Sequence, residues 1–217
     1  ENVFPAAVTI PADAAELLVV EHLGADGVFE DVSFTVRAGE IVGLAGLVGS
    51  GRSEILETIY GARTSTSGSV TAGGVRLRPG SVGHAISHGL GLSPEERKSQ
   101  GLDLRPANPD QPAGTLSGGN QQKVMLARWL VHGTSVLLLD EPTRGVDVGA
   151  RAEIYTLIRS LAAAGTAIVI VSSEIEEVLG LADRVLVIGD GRVIDSRDSG
   201  SIDEQEVLDL VMKGNAA

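Results

Sequence analysis

Residues 116–122 read Leu-Ser-Gly-Gly-Asn-Gln-Gln, and an apolar run at 136–139 leads directly into Asp140-Glu141-Pro142-Thr143. The two glycines after Ser117 leave backbone N–H groups open at the start of a helix, which the sequence predicts from about Gln121 to His132. Such a helix start is suited to an anionic phosphate group. The two motifs in this order indicate nucleotide chemistry that is shared between two domains.

Length and composition narrow the class of protein. A chain of 217 residues favours one domain. The net charge of -12 counts against a nucleic-acid-binding or anionic-membrane surface, because both need clustered Lys and Arg. The absence of cysteine excludes disulfides and thiolate zinc sites. The apolar runs are far shorter than the ~20 residues of a membrane span, and no secretory signal opens the chain, so we expect a cytoplasmic location.

Predicted strands and helices alternate as in an α/β protein with a parallel sheet. Residues 1–15 are rich in Ala and Pro and are predicted to be a linker, the folded domain is expected over 16–213, and 214–217 form a tail. The strands are predicted at 17–20, 32–36, 41–45, 133–140, 167–172, 184–188 and 192–195, with a hairpin over 68–78. The remaining helices are predicted at 53–60, 81–88, 148–164 and 203–212.

A glycine-rich loop lies between the third predicted strand and the helix that follows it. Its residues 46–53 read Gly-Leu-Val-Gly-Ser-Gly-Arg-Ser. Successive N–H groups of such a loop can surround a phosphate, and the Ser53 hydroxyl can reach Mg²⁺. Arg52 stands where a P-loop has Lys, which keeps the charge and changes the geometry. Taken alone, the loop is equally consistent with close backbone packing. The candidate phosphate-binding residues are Gly46, Gly49, Ser50, Gly51, Arg52 and Ser53.

Two carboxylates follow the apolar run at 136–139. Asp140, at the end of this strand, is placed to hold a Mg²⁺-bound water, and Glu141 is placed as a general base for water. An Asp-Glu pair can also be no more than a polar strand end. With the glycine loop before it and residues 116–122 between them, the pair indicates nucleotide hydrolysis.

Three segments together resemble the ATP-binding cassettes of the tandem ATPase subunits that drive bacterial importers of monosaccharides such as ribose, galactose and xylose. They are LSGGNQQK at 116–123, DEPTRGVD at 140–147 and Ser172-Ser173-Glu174. The resemblance is to the second, C-terminal cassette of these ABC transporter subunits. It implies an α/β P-loop NTPase core with an antiparallel β-subdomain, and ATP and Mg²⁺ as cofactors.

The resemblance also implies partners. They are the N-terminal cassette of the same subunit, a transmembrane sugar permease and, indirectly, a sugar-binding protein, with no nucleic acid among them. The domain would lie at the cytoplasmic side of the bacterial plasma membrane. Because two such cassettes meet head to tail, each ATP lies between the glycine loop of one cassette and the signature loop, residues 116–122 here, of the other.

Site roles follow from the same resemblance. Glu141 is the catalytic base, and Ser53, Asp140 and Glu95 are the implied metal ligands. In the signature loop, Ser117, Gly118, Gly119 and Gln121 would serve the ATP of the partner cassette. Asp147 would cross the cassette interface, although a helix N-cap alone would also explain an Asp there.

The chain departs from the family at three positions of the nucleotide site. Ser173 stands where the family has a His that holds the γ-phosphate, Glu95 replaces the Gln of the Q-loop, and no clear counterpart exists for the ring that stacks on adenine. Losing a charge-assisted hydrogen bond removes roughly 1.5–3 kcal/mol. We therefore expect a domain that binds ATP and hydrolyses it weakly or not at all, while its signature loop completes the active site of its partner.

The family's helical subdomain is largely absent from the sequence. Residues 102–114 leave room for hardly one helical turn and contain three prolines. Several dozen residues are missing near Gly101 and Leu102, through either a deletion or a gap that the numbering runs through. In the family this subdomain and the Q-loop, which corresponds to residues 94–98 here, form the surface that binds the permease.

Two other classes of function stay open. A soluble cassette protein of DNA repair or the ribosome would be expected to show a basic surface or a long coiled coil, and the acidic sequence disfavours it. A regulatory nucleotide-binding module would differ from an importer ATPase only in whether Glu141 ever activates water.

Overall fold

The computed structural model describes residues 4–6, 9–94 and 118–214. Strands and helices alternate along most of these residues, as the sequence predicts. The strands are β1 (Glu16–Ala25), β2 (Phe29–Arg37), β3 (Ile41–Ala45), β4 (Ser67–Ala72), β5 (Val75–Arg76), β6 (Leu90–Ser93), β7 (Val136–Asp140), β8 (Ala167–Val171), β9 (Arg184–Gly189) and β10 (Arg192–Asp198). The helices are α1 (Arg52–Tyr60), α2 (Val82–Ser87), α3 (Gly118–Val131), α4 (Val148–Ala163), α5 (Ile175–Leu181) and α6 (Glu204–Gly214), with a 3-10 turn at Ser199–Ser201.

A six-stranded central sheet forms the core, in the order β10-β9-β3-β8-β7-β6. All pairs from β9 to β6 are parallel, and only β10 is antiparallel. Every residue of β3, β7 and β8 is buried, as expected for short apolar strands of a parallel sheet. Because these three strands run in the same direction side by side, the loops that follow them meet at one edge of the sheet.

A second sheet of four antiparallel strands, in the order β2-β1-β4-β5, packs into the same apolar core. The predicted fold class, an α/β core with an antiparallel β-subdomain, is therefore confirmed. The position predicted for the missing helical subdomain, near residues 101–102, lies outside the described residues. Among the helices that the structure describes, each is too short or too polar to cross a lipid bilayer.

Several predicted strand bounds are wrong by a few residues. β1 and β2 extend beyond 17–20 and 32–36 because they pair with each other from Glu16 to Ala25. β7 begins at Val136 and not at residue 133, because Gly133 has a φ of 66° and lies in a turn. β8 ends at Val171, one residue early. These differences come from strand pairing, which the local sequence does not show.

Four predicted helix starts are wrong, and one helix was not predicted. α1, α2 and α6 begin one residue away from the predicted starts at 53, 81 and 203, and α3 begins at Gly118 and not at Gln121. Asp203 precedes α6, and its carboxylate caps this helix by accepting a hydrogen bond of 2.9 Å from the backbone N–H of Glu206. The helix that was not predicted is α5, which has only seven residues. Strand β6 was not predicted either, because its four residues include Gly91 and no β-branched residue.

The segment predicted to be a linker makes a specific contact in its described part. The ring of Phe4 stacks on Tyr155 of α4, with ring centroids 5.0 Å apart and an interplanar angle of 29°. The same ring lies against Gly180 in α5, where an added Cβ would be 2.5 Å from it. Phe4 is therefore held against α4 and α5.

Gly43 of β3 offers a test of the packing between the central sheet and α5. A Cβ at this position would lie 2.3 Å from Cγ1 of Val178 and 3.0 Å from Cβ of Ala182. We expect Gly43→Ala to lower the free energy of unfolding by about 1–3 kcal/mol, because the helix must move away from the sheet. Urea denaturation measures the change.

Gly83→Ala in α2 is the matched control, since nothing lies within 4 Å of its added Cβ. It should leave the free energy of unfolding unchanged or raise it by up to about 1 kcal/mol through helix propensity. Equal losses in the two variants would contradict a tight contact at Gly43.

Candidate functional site

The glycine loop at 46–53 joins the end of β3 to α1, and its backbone requires glycine at several positions. Gly49 and Gly51 have φ values of 84° and 92°, in the left-handed region that favours glycine. A Cβ at Gly46 would lie 2.4 Å from the carbonyl oxygen of Ile188 in β9. The loop therefore curls tightly over the edge of the central sheet, and the predicted strand-to-helix turn is confirmed.

This loop carries hydrogen-bond donors that a phosphate would satisfy. The Ser50 hydroxyl is buried and has no hydrogen-bond partner among the described residues. The loop leads directly into α1, whose first backbone N–H groups have no partner within the helix. Buried polar groups nearly always have a partner, so an anion with several acceptor oxygens fits this loop well.

Arg52 does not simply replace the lysine of a P-loop. Its Nη1 donates a hydrogen bond of 2.6 Å to the carbonyl oxygen of Ser172, just after β8, and the residue is only 5% exposed. Burial lowers the pKa of the Arg52 guanidinium, and the nearby carboxylates of Glu141 and Asp140 oppose this shift. Arg52 is thus attached to a second loop of the site. A lysine ammonium lacks the planar arrangement of donors that a guanidinium has.

Ser53 and Asp140, two of the predicted metal ligands, lie in direct contact. The Ser53 hydroxyl donates to Oδ1 of Asp140 at 3.0 Å, and Asp140 is buried at the end of β7. Burial raises the pKa of Asp140 to about 6, against the lowering effect of the Ser53 hydrogen bond. Hydroxyl and carboxylate oxygens are ligands that suit Mg²⁺, so the residues present fit this metal.

A bound Mg²⁺ would need further ligands. Within the described parts of the chain, no group of three or more His, Asp or Glu side chains could hold a metal ion by itself. Mg²⁺ usually keeps several waters and binds phosphate oxygens, so Ser53 and Asp140 would supply only part of its coordination. Glu95, the third predicted metal ligand, lies outside the described residues.

Glu141 is held in a strained backbone conformation. Its φ is 50°, which is uncommon for a residue other than glycine and occurs often at functional sites. The backbone N–H of Glu141 donates to the carbonyl of Val171 at 2.9 Å, and its carboxylate accepts a hydrogen bond of 3.1 Å from the Ser173 hydroxyl. Burial raises the pKa of Glu141, which Ser173 opposes. A raised pKa makes this carboxylate a better proton acceptor near neutral pH.

Six of the predicted residues line one open pocket of about 430 Å³, and Gly46, Ser50 and Asp140 are not part of its lining. The glycine loop, Glu141 and Ser173 all contribute to its wall. Arg144 also lines it and was not identified from the sequence. The full lining is Val48, Gly49, Gly51, Arg52, Ser53, Glu54, Glu141, Arg144 and Ser173.

The signature loop is described only from Gly118 onward, and Ser117 lies outside the described residues. A Cβ at Gly118 would be 2.5 Å from the carbonyl oxygen of Gly145, and one at Gly119 would be 2.9 Å from Cβ of Ala150. Close packing against the start of α4 therefore accounts for both glycines. Gln121 is buried in α3. Contact of these residues with a nucleotide stays a prediction.

Asp147 caps α4, as the sequence predicts. Its carboxylate accepts a hydrogen bond of 3.0 Å from the backbone N–H of Ala150. Its second predicted role, at an interface between two cassettes, stays a prediction.

A buried polar cluster that was not predicted lies behind the pocket. Glu177 in α5 is 2% exposed and accepts hydrogen bonds from the hydroxyls of Thr143, at 2.6 Å, and Ser172, at 2.5 Å. Glu177 follows two other glutamates, Glu174 and Glu176, in a helix that was not predicted. No local signal therefore distinguished it from its neighbours.

Comparison with known proteins assigns the family. The family described as ABC transporter matches residues 29–101 and 95–144, which together are more than half of the chain. The chain belongs to the ABC transporter family.

Two solved structures share the fold of this ABC cassette. The ADP conformation of an ATP-binding cassette of an ABC transporter has a TM-score of 0.74 at 20% identity, covering 93% of this chain and 96% of that one. An ATP-binding subunit of an ABC transporter has a TM-score of 0.73 at 22% identity, covering 91% and 98%.

Relatives of higher identity are ribose import ATP-binding proteins. RbsA 1 of Streptomyces avermitilis is 43% identical over 245 residues, covering 94% of this chain and 47% of that protein. RbsA of Corynebacterium glutamicum is 41% identical over 252 residues, covering 98% of this chain and 48% of that protein. The ABC cassette described here therefore spans about half the length of the relatives that it matches.

Asp140 provides a pH test of the site without nucleotide or metal. Its pKa is raised from 3.8 to about 6, so the folded state keeps this proton at pH values where the unfolded chain has released it. Stability therefore falls as the pH rises from about 4 to about 6. We expect Asp140→Asn, which cannot ionise, to be roughly 2 kcal/mol more stable than the unaltered chain near pH 7 and to lose this advantage near pH 4.

Urea denaturation at the two pH values, in buffer with a chelator, measures this difference. Asp209→Asn, which changes an exposed carboxylate on α6, is the control variant. If the stability difference between Asp140→Asn and the unaltered chain were the same at both pH values, the raised pKa of Asp140 would be contradicted.

Proposed function

We propose that this chain is an ATP-hydrolysing domain that powers sugar import through an ABC transporter. The observation that carries this proposal is the pocket in which the glycine loop meets Glu141, where Ser53 of the same loop is hydrogen-bonded to Asp140. The relatives are named ribose import ATP-binding proteins, which supports a sugar as the molecule that the transporter imports. The half-length match supports a tandem subunit of two cassettes. The assignment of this chain to the second cassette rests on the resemblance of residues 116–123, 140–147 and 172–174. The domain would then lie on the cytoplasmic face of the membrane, bound to a permease.

The residues of the site have separate roles in the transfer of the phosphoryl group to water. Backbone N–H groups of the glycine loop and the Ser50 hydroxyl bind phosphate oxygens. Ser53 and Asp140 would hold Mg²⁺, which would neutralise charge on the phosphates. Glu141 accepts the proton of a water whose oxygen attacks the γ-phosphorus, while the bond from that phosphorus to the leaving ADP oxygen breaks. Ser173 orients the Glu141 carboxylate through its hydrogen bond.

Hydrolysis at this site is slow in the proposed function. Arg52 is tied to the Ser172 carbonyl, so its charge is not presented along the loop as a lysine would present it. Ser173 is a neutral hydroxyl that donates to Glu141, where the family has an imidazole for the γ-phosphate. Losing one positioned donor to a developing charge costs about 100-fold or more in kcat. Binding of ATP needs less precise geometry and would survive.

The partner of this domain is a second cassette. Two exposed apolar side chains are consistent with this, Val48 in the glycine loop at 83% exposure and Val148 at the start of α4 at 78%. An interface with a second cassette would bury them. In the proposed assembly Ser117, Gly118 and Gly119 complete the ATP site of the N-terminal cassette, and Asp147 lies at the same interface.

The absent helical subdomain belongs to the same proposal. The match to the relative from Streptomyces avermitilis runs over 245 residues, more than the 217 of this chain. The family match is also divided into two stretches that meet at residues 95–101. Both observations support a loss of residues near Gly101, where the permease-binding helices of an importer would be inserted.

Nucleotide binding and turnover test the proposal directly. We expect calorimetry to detect Mg·ATP binding to the chain alone, with little phosphate release, because the local site is weakened. Adding the N-terminal cassette of the chain's own subunit should start turnover. Ser117→Arg should abolish that turnover by placing a bulky cation at the signature loop, while Ser196→Arg, on the exposed strand β10, should not.

Fast phosphate release by the chain alone would contradict the weakened local site. Turnover of the mixture that Ser117→Arg leaves intact would contradict the role of the signature loop. Absence of any Mg·ATP binding would contradict the proposed function as a whole.

The base of the nucleotide should contribute little to affinity. Among the described residues, no aromatic side chain lines the pocket beside the glycine loop. Phe29, whose Cβ is near Gly51, is only 3% exposed and offers no free ring face.

Ring stacking is worth about 0.5–1.5 kcal/mol. We expect Mg·ATP and Mg·GTP to bind with Kd values within about threefold of each other in calorimetry. A preference for ATP of more than about tenfold would show that a base-specific contact exists.

A further inference from the structure

Glu177 lies at the centre of the buried cluster behind the pocket. Its carboxylate accepts short hydrogen bonds from Thr143, at 2.6 Å, and Ser172, at 2.5 Å, and all three residues are at most 2% exposed. Burial raises the pKa of Glu177, and these two hydroxyls oppose the shift. Tyr155 of α4 interacts with the same carboxylate, and burial raises the pKa of this tyrosine to about 12. Glu177 thus connects α5, α4 and the loops after β7 and β8.

The Thr143 contact acts on the loop that carries Glu141. Thr143 follows Glu141 by two residues, within a compact turn. The backbone N–H of Arg144 donates to the carbonyl of Glu141 at 3.2 Å, and that of Val146 donates to Thr143 at 3.0 Å. Glu141 has a φ of 50°, a conformation that persists only when its surroundings hold it. Attaching Thr143 to Glu177 supplies that restraint from the protein interior.

The Ser172 contact acts on the other side of the pocket. Ser172 precedes Ser173, whose hydroxyl donates to Glu141 at 3.1 Å. Its carbonyl oxygen accepts the 2.6 Å hydrogen bond from Arg52. Its hydroxyl also accepts from the backbone N–H of Glu174 at 3.1 Å, so the whole turn after β8 is fixed. Through Ser172, Glu177 restrains two groups of the pocket wall.

We propose that Glu177 is a positioning residue for ATP hydrolysis, which aligns Glu141, Ser173 and Arg52 by holding the loops after β7 and β8 to α5. The inference rests on the proposed function, because the alignment serves the attack of water. Glu177 does not itself line the pocket. Stability alone does not account for Glu177, because burying a carboxylate costs more free energy than burying an apolar side chain in the same place. Both hydroxyls that bind it belong to loops of the pocket.

Glu177→Gln and Glu176→Gln form a matched pair of variants. Both remove one negative charge from α5, but Glu176 is exposed and Glu177 is buried. Gln keeps the size of the side chain and cannot accept both hydroxyl hydrogen bonds with equal strength. We expect Glu177→Gln to lower kcat for ATP about tenfold or more, with KM changed by less than about twofold, because it misaligns the base without removing phosphate contacts. Glu176→Gln should leave both constants unchanged.

Deuterium exchange supplies a measurement that does not depend on turnover. In the absence of nucleotide, Glu177→Gln should speed amide exchange within residues 141–146 and 172–174 and leave β3 and α1 unchanged. Exchange that rises over the entire sheet, or that does not rise at all, would overturn the proposal. If the unaltered chain hydrolyses no ATP, the proposed function fails in its catalytic part, and the exchange comparison still decides whether Glu177 holds these loops.

Thr143→Val is a second variant in case Glu177→Gln does not fold. It removes one hydroxyl at nearly constant volume. We expect it to lower kcat in the same manner, and the double variant with Glu177→Gln to be slowed by less than the product of the two single effects, because both remove the same contact. Multiplying effects, or a kcat equal to that of the unaltered chain in each single variant, would overturn the role of Glu177.

Discussion

Hydrogen bonds between β3 and β8, and between β8 and β7, align the carboxyl ends of three strands at one edge of the central sheet. Val171 is paired with Leu44 on one side and with Asp140 on the other. The glycine loop, the Asp140-Glu141 pair and the Ser172-Ser173 pair therefore begin at the same level. A shift of one residue in β7 would turn Asp140 to the opposite face of the sheet, away from Ser53. The site thus depends on strand register before it depends on any side chain.

Several ionisable side chains at and behind the pocket are buried, so water screens their charges poorly. Asp140, Arg52 and Glu177 are 6%, 5% and 2% exposed, and Glu141 is half-buried between them. Three carboxylates in this region have raised pKa values, with burial as the main cause, and Arg52 is the cation that opposes the shift at Asp140 and Glu141. Such a site is short of positive charge in its metal-free form. A divalent cation beside Ser53 and Asp140 would correct that balance, which supports the proposed Mg²⁺ site.

The sequence was sufficient for the parts of the site that lie in continuous motifs. The glycine loop has its own backbone requirement at Gly49 and Gly51, and the Asp140-Glu141 pair follows an apolar strand, so both could be predicted locally. Glu177 could not be separated from its acidic neighbours, because only the packing of α5 on the sheet buries it. β6 was missed for a similar reason, since a short strand with glycine is defined by its partner β7. Contacts distant in sequence were thus the part that local patterns did not predict.

Arg52 departs from the P-loop motif, which has lysine at this position, without a complete loss of the lysine's function. A guanidinium has several N–H donors in one plane, whereas an ammonium is a compact point charge. One donor of Arg52 is used on the Ser172 carbonyl, and the residue still contributes to the pocket wall. The same side chain can therefore contact a phosphate and the loop after β8 together. Since Ser172 is also held by Glu177, a nucleotide that contacts Arg52 acts on the same cluster that holds Glu141. In the proposed function, Arg52 would therefore connect phosphate binding to the position of Glu141 through Ser172 and Glu177.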